Sequence, residues 1–319
     1  MLPLESTEIY GNWSTILLPI EEDESINYDK LSRQIDQLIT MRVNGIYSNG
    51  TAAEFYNQTE EEFDKISMLL SEKCNIAGMP FQIGCSHMSP KLSLERLKRI
   101  VQLKPGAIQV ILPDWFPPVM PEIISYLRVM TEAADGIGLV LYNPPHAKKK
   151  LTPQDFYKIK EAGITLVGCK LAGGDEKWYA EMKELVPDLS LFTPGNRLAT
   201  GIGLGANGSY SNVACLHPKV AQQWYETMLT DREKALELEK RIQLFIINYI
   251  YPFIKEKGYS DPAVDKLLAC ITGWTDLTPR LRWPYRWISE NELSKVRISC
   301  REISPEFFSD TKIGSSASL

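Results

Sequence analysis

None of the six cysteines, at positions 74, 85, 169, 215, 270 and 300, belongs to a CxxC pair or to a metal-ligand spacing. That argues against a cysteine metal site, and a chain of 319 residues needs no disulfide framework; reduced thiols in a cytosol are expected. No apolar run approaches the length of a membrane span. Nor is there an excess of basic charge: the formal net charge is -5 with signs interspersed, which argues against a nucleic-acid footprint. The short run KKK at 148–150 reads as a solvated loop. The first residues, MLPLESTEIYG, lack the basic and apolar regions of a secretory signal, so a cytoplasmic protein with small-molecule partners is expected.

What is present is ordinary for a soluble globular chain, with 44% hydrophobic and 24% charged residues. Short apolar runs rich in β-branched residues alternate with amphipathic stretches almost to residue 230. The expected strands are STILLPI (14–20), NGIYSNG (44–50), FQIGCS (81–86), AIQVILP (107–113), GLVLYNP (138–144), LVGCKLA (166–172), LSLFTP (189–194) and NGSYSN (207–212). Helical patterns such as TEEEFDKISMLLSEK lie between them, several opened by Thr, Ser or Asp with acids in the first turn. Eight βα units predict a (β/α)8 TIM barrel over 10–230, with a doubly wound sheet as the rival. Helical patterns then dominate residues 231–303, predicting a C-terminal helical extension, and 304–319 reads as a disordered tail. The segment TDLTPRLRWPYRWIS offers aromatic surface for the barrel or another subunit.

One cation stands in an apolar strand, Lys170 in LVGCKLAGG. A lysine there must pair with an anion, snorkel to the rim, or lose its proton and become a nucleophile. Asp175 and Glu54 are the candidate partners for the bland reading. In a barrel, strand ends converge on one mouth, which brings Tyr142 of LVLYNPP beside Lys170 and Thr51 of NGTAAE within the same site. Singly, Tyr142 reads as a strand-end aromatic and Thr51 as a turn residue. Jointly, a neutral amine, a phenol that carries protons and a turn with free N–H groups suit imine chemistry on a keto acid.

The ordered set GNWSTILLP, NGTAAE, YNPP, GCKLAGG, TPGN and GANGSYSN resembles the dihydrodipicolinate synthase and N-acetylneuraminate lyase family over about residues 10–300. The resemblance implies a class I lyase or aldolase on a TIM barrel, working without metal or other cofactor, and built as a homo-oligomer, a dimer or tetramer. It implies that Lys170 forms the Schiff base, Tyr142 shuttles protons, and Thr51 holds the carboxylate of a 2-keto acid such as pyruvate. Ala52 stands where the family has a second hydroxyl, and Ala147 lies near the position of the synthases' arginine. Trp115 stands about where synthases send a tyrosine into the neighbouring subunit. Gly195, Ser209 and Tyr210 are further candidate substrate contacts, and His87 and Lys148 candidates for a polar substrate tail.

Three other readings have some support. His87, His146 and His217 all follow strands, but no ligand spacing joins them. GIGLGANG contains a literal GxGxxG, yet it follows a helical pattern and leads into a strand, the reverse of a dinucleotide fingerprint. The altered GTAAE motif suits a catalytically silent keto-acid or sugar-acid binding protein, against which the pair Lys170 and Tyr142 stands. The sequence therefore predicts a Schiff-base lyase or aldolase acting on a 2-keto acid, by carbon–carbon cleavage or formation or by dehydrating a 2-keto-3-deoxy sugar acid, with a dihydrodipicolinate synthase proper or the silent binding protein as alternatives.

Overall fold

A computed structural model describes residues 1–308. Its eight parallel strands close into a barrel in sequence order: β1 (Gly11–Thr15), β2 (Gly45–Ser48), β3 (Phe81–Gly84), β4 (Ala107–Ile111), β5 (Leu139–Tyr142), β6 (Leu166–Lys170), β7 (Ser190–Phe192) and β8 (Gly208–Tyr210). This is the TIM barrel the βα repeat predicts, and the doubly wound alternative falls because β1 pairs with both β2 and β8. The crossover helices are α1 (Tyr28–Thr40), α2 (Glu60–Ala77), α3 (Pro90–Ile100), α4 (Met120–Ala133), α5 (Pro153–Glu161), α6 (Glu176–Leu185) and α7 (Leu198–Leu204). After β8 come α8 (Asn212–Leu216), α9 (Pro218–Thr230), α10 (Arg232–Phe245), α11 (Tyr251–Lys255), α12 (Asp261–Thr272) and α13 (Glu290–Ile303).

Local signals set these boundaries. Thr59 caps α2 and forms a reciprocal capping box with Glu62, and Gly78 ends the helix in the left-handed region at φ 63°. Thr152 and Asp155 do the same for α5, with a proline in its first turn. Alternation along the strands sends one set of side chains outward to the main core and the other into the barrel, where Trp13, Tyr47, Val140, Val167, Phe192 and Tyr210 pack together. Gly45 has to be small: a Cβ there would lie 2.5 Å from the Trp13 indole.

The structure departs from the sequence reading in two places. The first strand is Gly11–Thr15, not 14–20. Its partners Gly208 and Gly45 face Gly11 and Trp13, whereas Ile16, Leu17 and Leu18 are a buried stretch beyond the paired segment. Apolar content marked burial there, and pairing marked the strand. The first part of the expected tail is ordered, since Pro305–Phe308 forms a 3-10 turn with Phe307 fully buried; the rest of it, 309–319, lies outside the described residues. GIGLGANG closes α7 on Gly205 (φ 110°) and leads into β8, a helix exit with no dinucleotide geometry.

The helical extension closes over the barrel mouth. Helix α12 packs on α8 and on the turn after β2, and Arg282 from the Trp- and Pro-rich segment grips Glu62 of α2 at 2.5 and 2.7 Å. Leu281 beside it is buried, and Trp283 faces solvent.

Candidate active site

Lys170 and Tyr142 end neighbouring strands and stand opposite each other in the β5–β6 register. The Lys170 Nζ lies 4.2 Å from the Tyr142 ring centroid, 5.3 Å from that of Tyr47 and 5.5 Å from that of Tyr210. Neither anion named for the bland reading serves it. Glu54 pairs with Lys266 at 2.6 Å, and the Asp175 carboxylate caps α6 by accepting from the Trp178 N–H at 2.9 Å. Lys170 takes part in no salt bridge among the described residues. Desolvation lowers its pKa to about 8, opposed in part by the charges of Asp265, Cys215 and Asp261. Burial raises the Tyr142 phenol to about 12, an effect partly offset by hydrogen bonding to the Thr51 side chain.

The cavity at Lys170, about 270 Å³, is also lined by Thr51, Ala52, Tyr142, Gly195 and Tyr210. Thr51 to Ala53 form a 3-10 turn, and the leading N–H groups of such a turn have no partner within it. A second cavity of about 640 Å³ adjoins the first and shares Thr51, Tyr142 and Asp261 with it. Its walls carry Phe55, Tyr56, Tyr259 and Tyr285, with His87, His146, Ala147 and Lys149 among its polar and small groups.

Two sequence candidates lie elsewhere. Ser209 is buried on β8 but lines neither cavity, because alternation turns it away from the lumen that its neighbour Tyr210 faces. Trp115 is 69% exposed and lines neither cavity; its carbonyl accepts from Lys148 Nζ at 3.0 Å. Lys148 is thereby held outside the cavities as well. Tyr210 contributes its ring face, since its hydroxyl donates to Gln82 Oε1 at 2.6 Å inside the barrel. The three histidines do not converge: His87 and His146 line the larger cavity, and His217 is buried at the start of α9. Among the described residues no group of three or more His, Cys, Asp or Glu is placed to hold a metal ion.

The sequence reading missed Tyr47, Cys215, Asp261 and Asp265, all of which line the lysine cavity. One signal pointed to Asp265. In DPAVDKLLACIT two adjacent charges interrupt an apolar helix, the pattern of a charge pair turned inward. Lys266 goes to Glu54, and Asp265 to the cavity.

The closed barrel thus carries a desolvated lysine at one strand end beside a tyrosine at the next. The chain matches the model of the dihydrodipicolinate synthetase family over residues 8–300 and belongs to that family, which bears out the resemblance. A 4-hydroxy-tetrahydrodipicolinate synthase from Phocaeicola vulgatus is 31% identical over 170 residues, 53% of this chain and 57% of that protein. The N-acetylneuraminate lyase of Escherichia fergusonii is 23% identical over 94% of this chain and 99% of its own length. Among solved structures, YagE, a prophage protein of the dihydrodipicolinic acid synthase family from E. coli K12 in complex with pyruvate, superposes with a TM-score of 0.81 at 18% identity. That alignment covers 92% of this chain and 98% of the other. The chain is thus an enzyme of the lyase and aldolase type. No helix among the described residues is long and apolar enough to cross a membrane.

Proposed function

We propose that the protein is a class I aldolase or lyase that makes or breaks a carbon–carbon bond, or removes a β-hydroxyl, through a Schiff base between Lys170 and a 2-keto acid. The observation that carries this reading is the Lys170 amine, set against three tyrosine rings with no ion pair among the described residues and a pKa lowered to about 8. A substantial neutral fraction is then available near neutral pH to attack a ketone. The Thr51 hydroxyl and the N–H groups of Thr51 and Ala52 receive the keto-acid carboxylate. Tyr142, hydrogen-bonded to Thr51, moves the proton of the substrate hydroxyl at the bond that is made or broken. The protonated imine draws electrons from the adjacent carbon. In cleavage the C4 hydroxyl gives up its proton through the Tyr142 hydroxyl and its O–H pair becomes the aldehyde C=O; the C3–C4 bond breaks, its σ pair forms the C2=C3 bond of an enamine, the C=N π pair returns to nitrogen, and C3 then takes up the relayed proton.

The smaller cavity suits the keto-acid head and the larger one the remainder of the substrate. Tyr56, Tyr259 and Tyr285 favour a tail carrying hydroxyls or an aromatic face, and Ala147 supplies no cation for a second carboxylate. The reading extends to a cytoplasmic homo-oligomer that needs no cofactor; sedimentation measures the assembly. The mechanism is tested by incubating the protein with pyruvate and borohydride. A pyruvyl adduct on the peptide containing Lys170 is expected, and absence of any adduct under conditions that label a control aldolase removes the mechanism.

A further inference from the structure

The cavity contains an acid that this scheme leaves unused. Asp265 sits on α12 between Val264 and Leu267, both buried, and helix periodicity turns it toward Lys170 while Lys266 turns to Glu54. Its carboxyl makes no salt bridge among the described residues and has the Cys215 thiol as hydrogen-bonding partner. That thiol also faces the Ser211 carbonyl at 3.9 Å. A carboxyl without a facing cation in such surroundings costs stability, which is the mark of a group kept for chemistry. Asp265 and Lys170 line the same cavity of about 270 Å³ and form no ion pair among the described residues.

We propose that Asp265 supplies the proton that converts the Lys170 carbinolamine into the iminium, and then remains beside that cation as its counter-ion. The proposal rests on the Schiff-base reading of Lys170. In the first step the neutral amine adds to the keto carbon, the carbonyl π pair moves to oxygen, and oxygen takes the proton that nitrogen gives up. In the second step the nitrogen lone pair forms the C=N bond, the C–O bond breaks, and the Asp265 proton leaves with the hydroxyl as water. Amine, ketone and carboxylic acid have become iminium, water and carboxylate. The exchange leaves the net charge of the cavity unchanged, and no proton need come from solvent.

The charges around Asp265 suit this exchange. Burial and Asp261 raise its pKa to about 7, against the opposing influences of Lys170 and Cys215, and Lys170 is lowered to about 8. Tyr142 from β5 and Tyr47 from β2 line the same cavity and stay protonated, because burial raises both. Burial disfavours both charged forms, which brings the neutral amine and neutral acid tautomer within reach of the two ions. For the unperturbed groups, at 10.5 and 3.8, that tautomer would be rarer by several million-fold. A substrate carboxylate entering the cavity favours the protonated acid further.

The experiment is rapid-quench borohydride trapping with pyruvate across pH 5–10, reading the adduct on the Lys170 peptide, for wild type, Asp265→Asn and Asp265→Ala. In Asp265→Asn the maximal trapping rate is expected to fall about 10²-fold. Its pH midpoint moves downward, because Lys170 loses the anion that holds its pKa up. Formate restores the rate of Asp265→Ala, a result that a structural role does not give and that needs only a folded variant. An unchanged maximal rate with a shifted midpoint, or failure of formate to rescue, overturns the proposal. Absence of an adduct in wild type overturns the Schiff-base reading and this inference with it.

Discussion

Glu54 and Lys266 form an ion pair at 2.6 Å with both side chains almost completely buried, and it joins the turn after β2 to α12. Lys266 Nζ also donates to the Arg280 carbonyl at 2.6 Å. One contact therefore fixes the helix that carries Asp265 relative to the turn that carries Thr51. The geometry of the mouth depends on it.

Lys266→Met should lower unfolding stability by roughly 3–5 kcal/mol, because it leaves the Glu54 charge buried without a partner. The double variant Glu54→Gln/Lys266→Met should recover much of that loss. Urea unfolding of the single and double variants measures both; equal stability of single variant and wild type would show the pair to be dispensable.

Lys170→Ala should abolish imine trapping and turnover while the protein remains folded. Its effect on stability depends on pH. The folded amine titrates near 8 and the unfolded one near 10.5, so between those values the unfolded state holds more protons. Wild-type stability should therefore rise with pH across that window as far as Lys170 contributes, and the rise should be smaller in Lys170→Ala. Thermal melts at pH 7.5 and pH 9.5 test the sign, and a larger rise in the variant would contradict it.

Tyr142→Phe should slow turnover by roughly 10²-fold or more, the usual scale for a lost acid/base group. Trapping at Lys170 should persist, since the nucleophile remains and the ring that packs beside it is kept. A steady-state rate equal to wild type would reduce Tyr142 to a packing role.

Ser209→Ala should leave kcat and KM within about twofold of wild type. The Ser209 hydroxyl is buried outside the barrel lumen with no hydrogen-bond partner among the described residues, so its removal should be neutral or mildly stabilising. A marked rise in KM would place Ser209 in contact with substrate after all.

The sequence alone determined the architecture, because a short apolar run followed by a helical stretch repeats eight times and has few compact solutions. It also determined the positions of Lys170 and Tyr142, since both end apolar strands and all strand ends in a barrel converge. The strand ends beside them were less legible. Ser209 and Tyr210 looked equivalent as neighbours, and only the direction of the pleat separated lumen from outer face. Trp115 took its position from a loop, where composition does not fix direction. What only the tertiary structure decided was the contribution of α12. Asp265 lies 95 residues from Lys170 along the chain, and no local periodicity relates the two. They share a cavity because the extension folds back over the barrel mouth, and that return is set by long-range packing and by the buried ion pair.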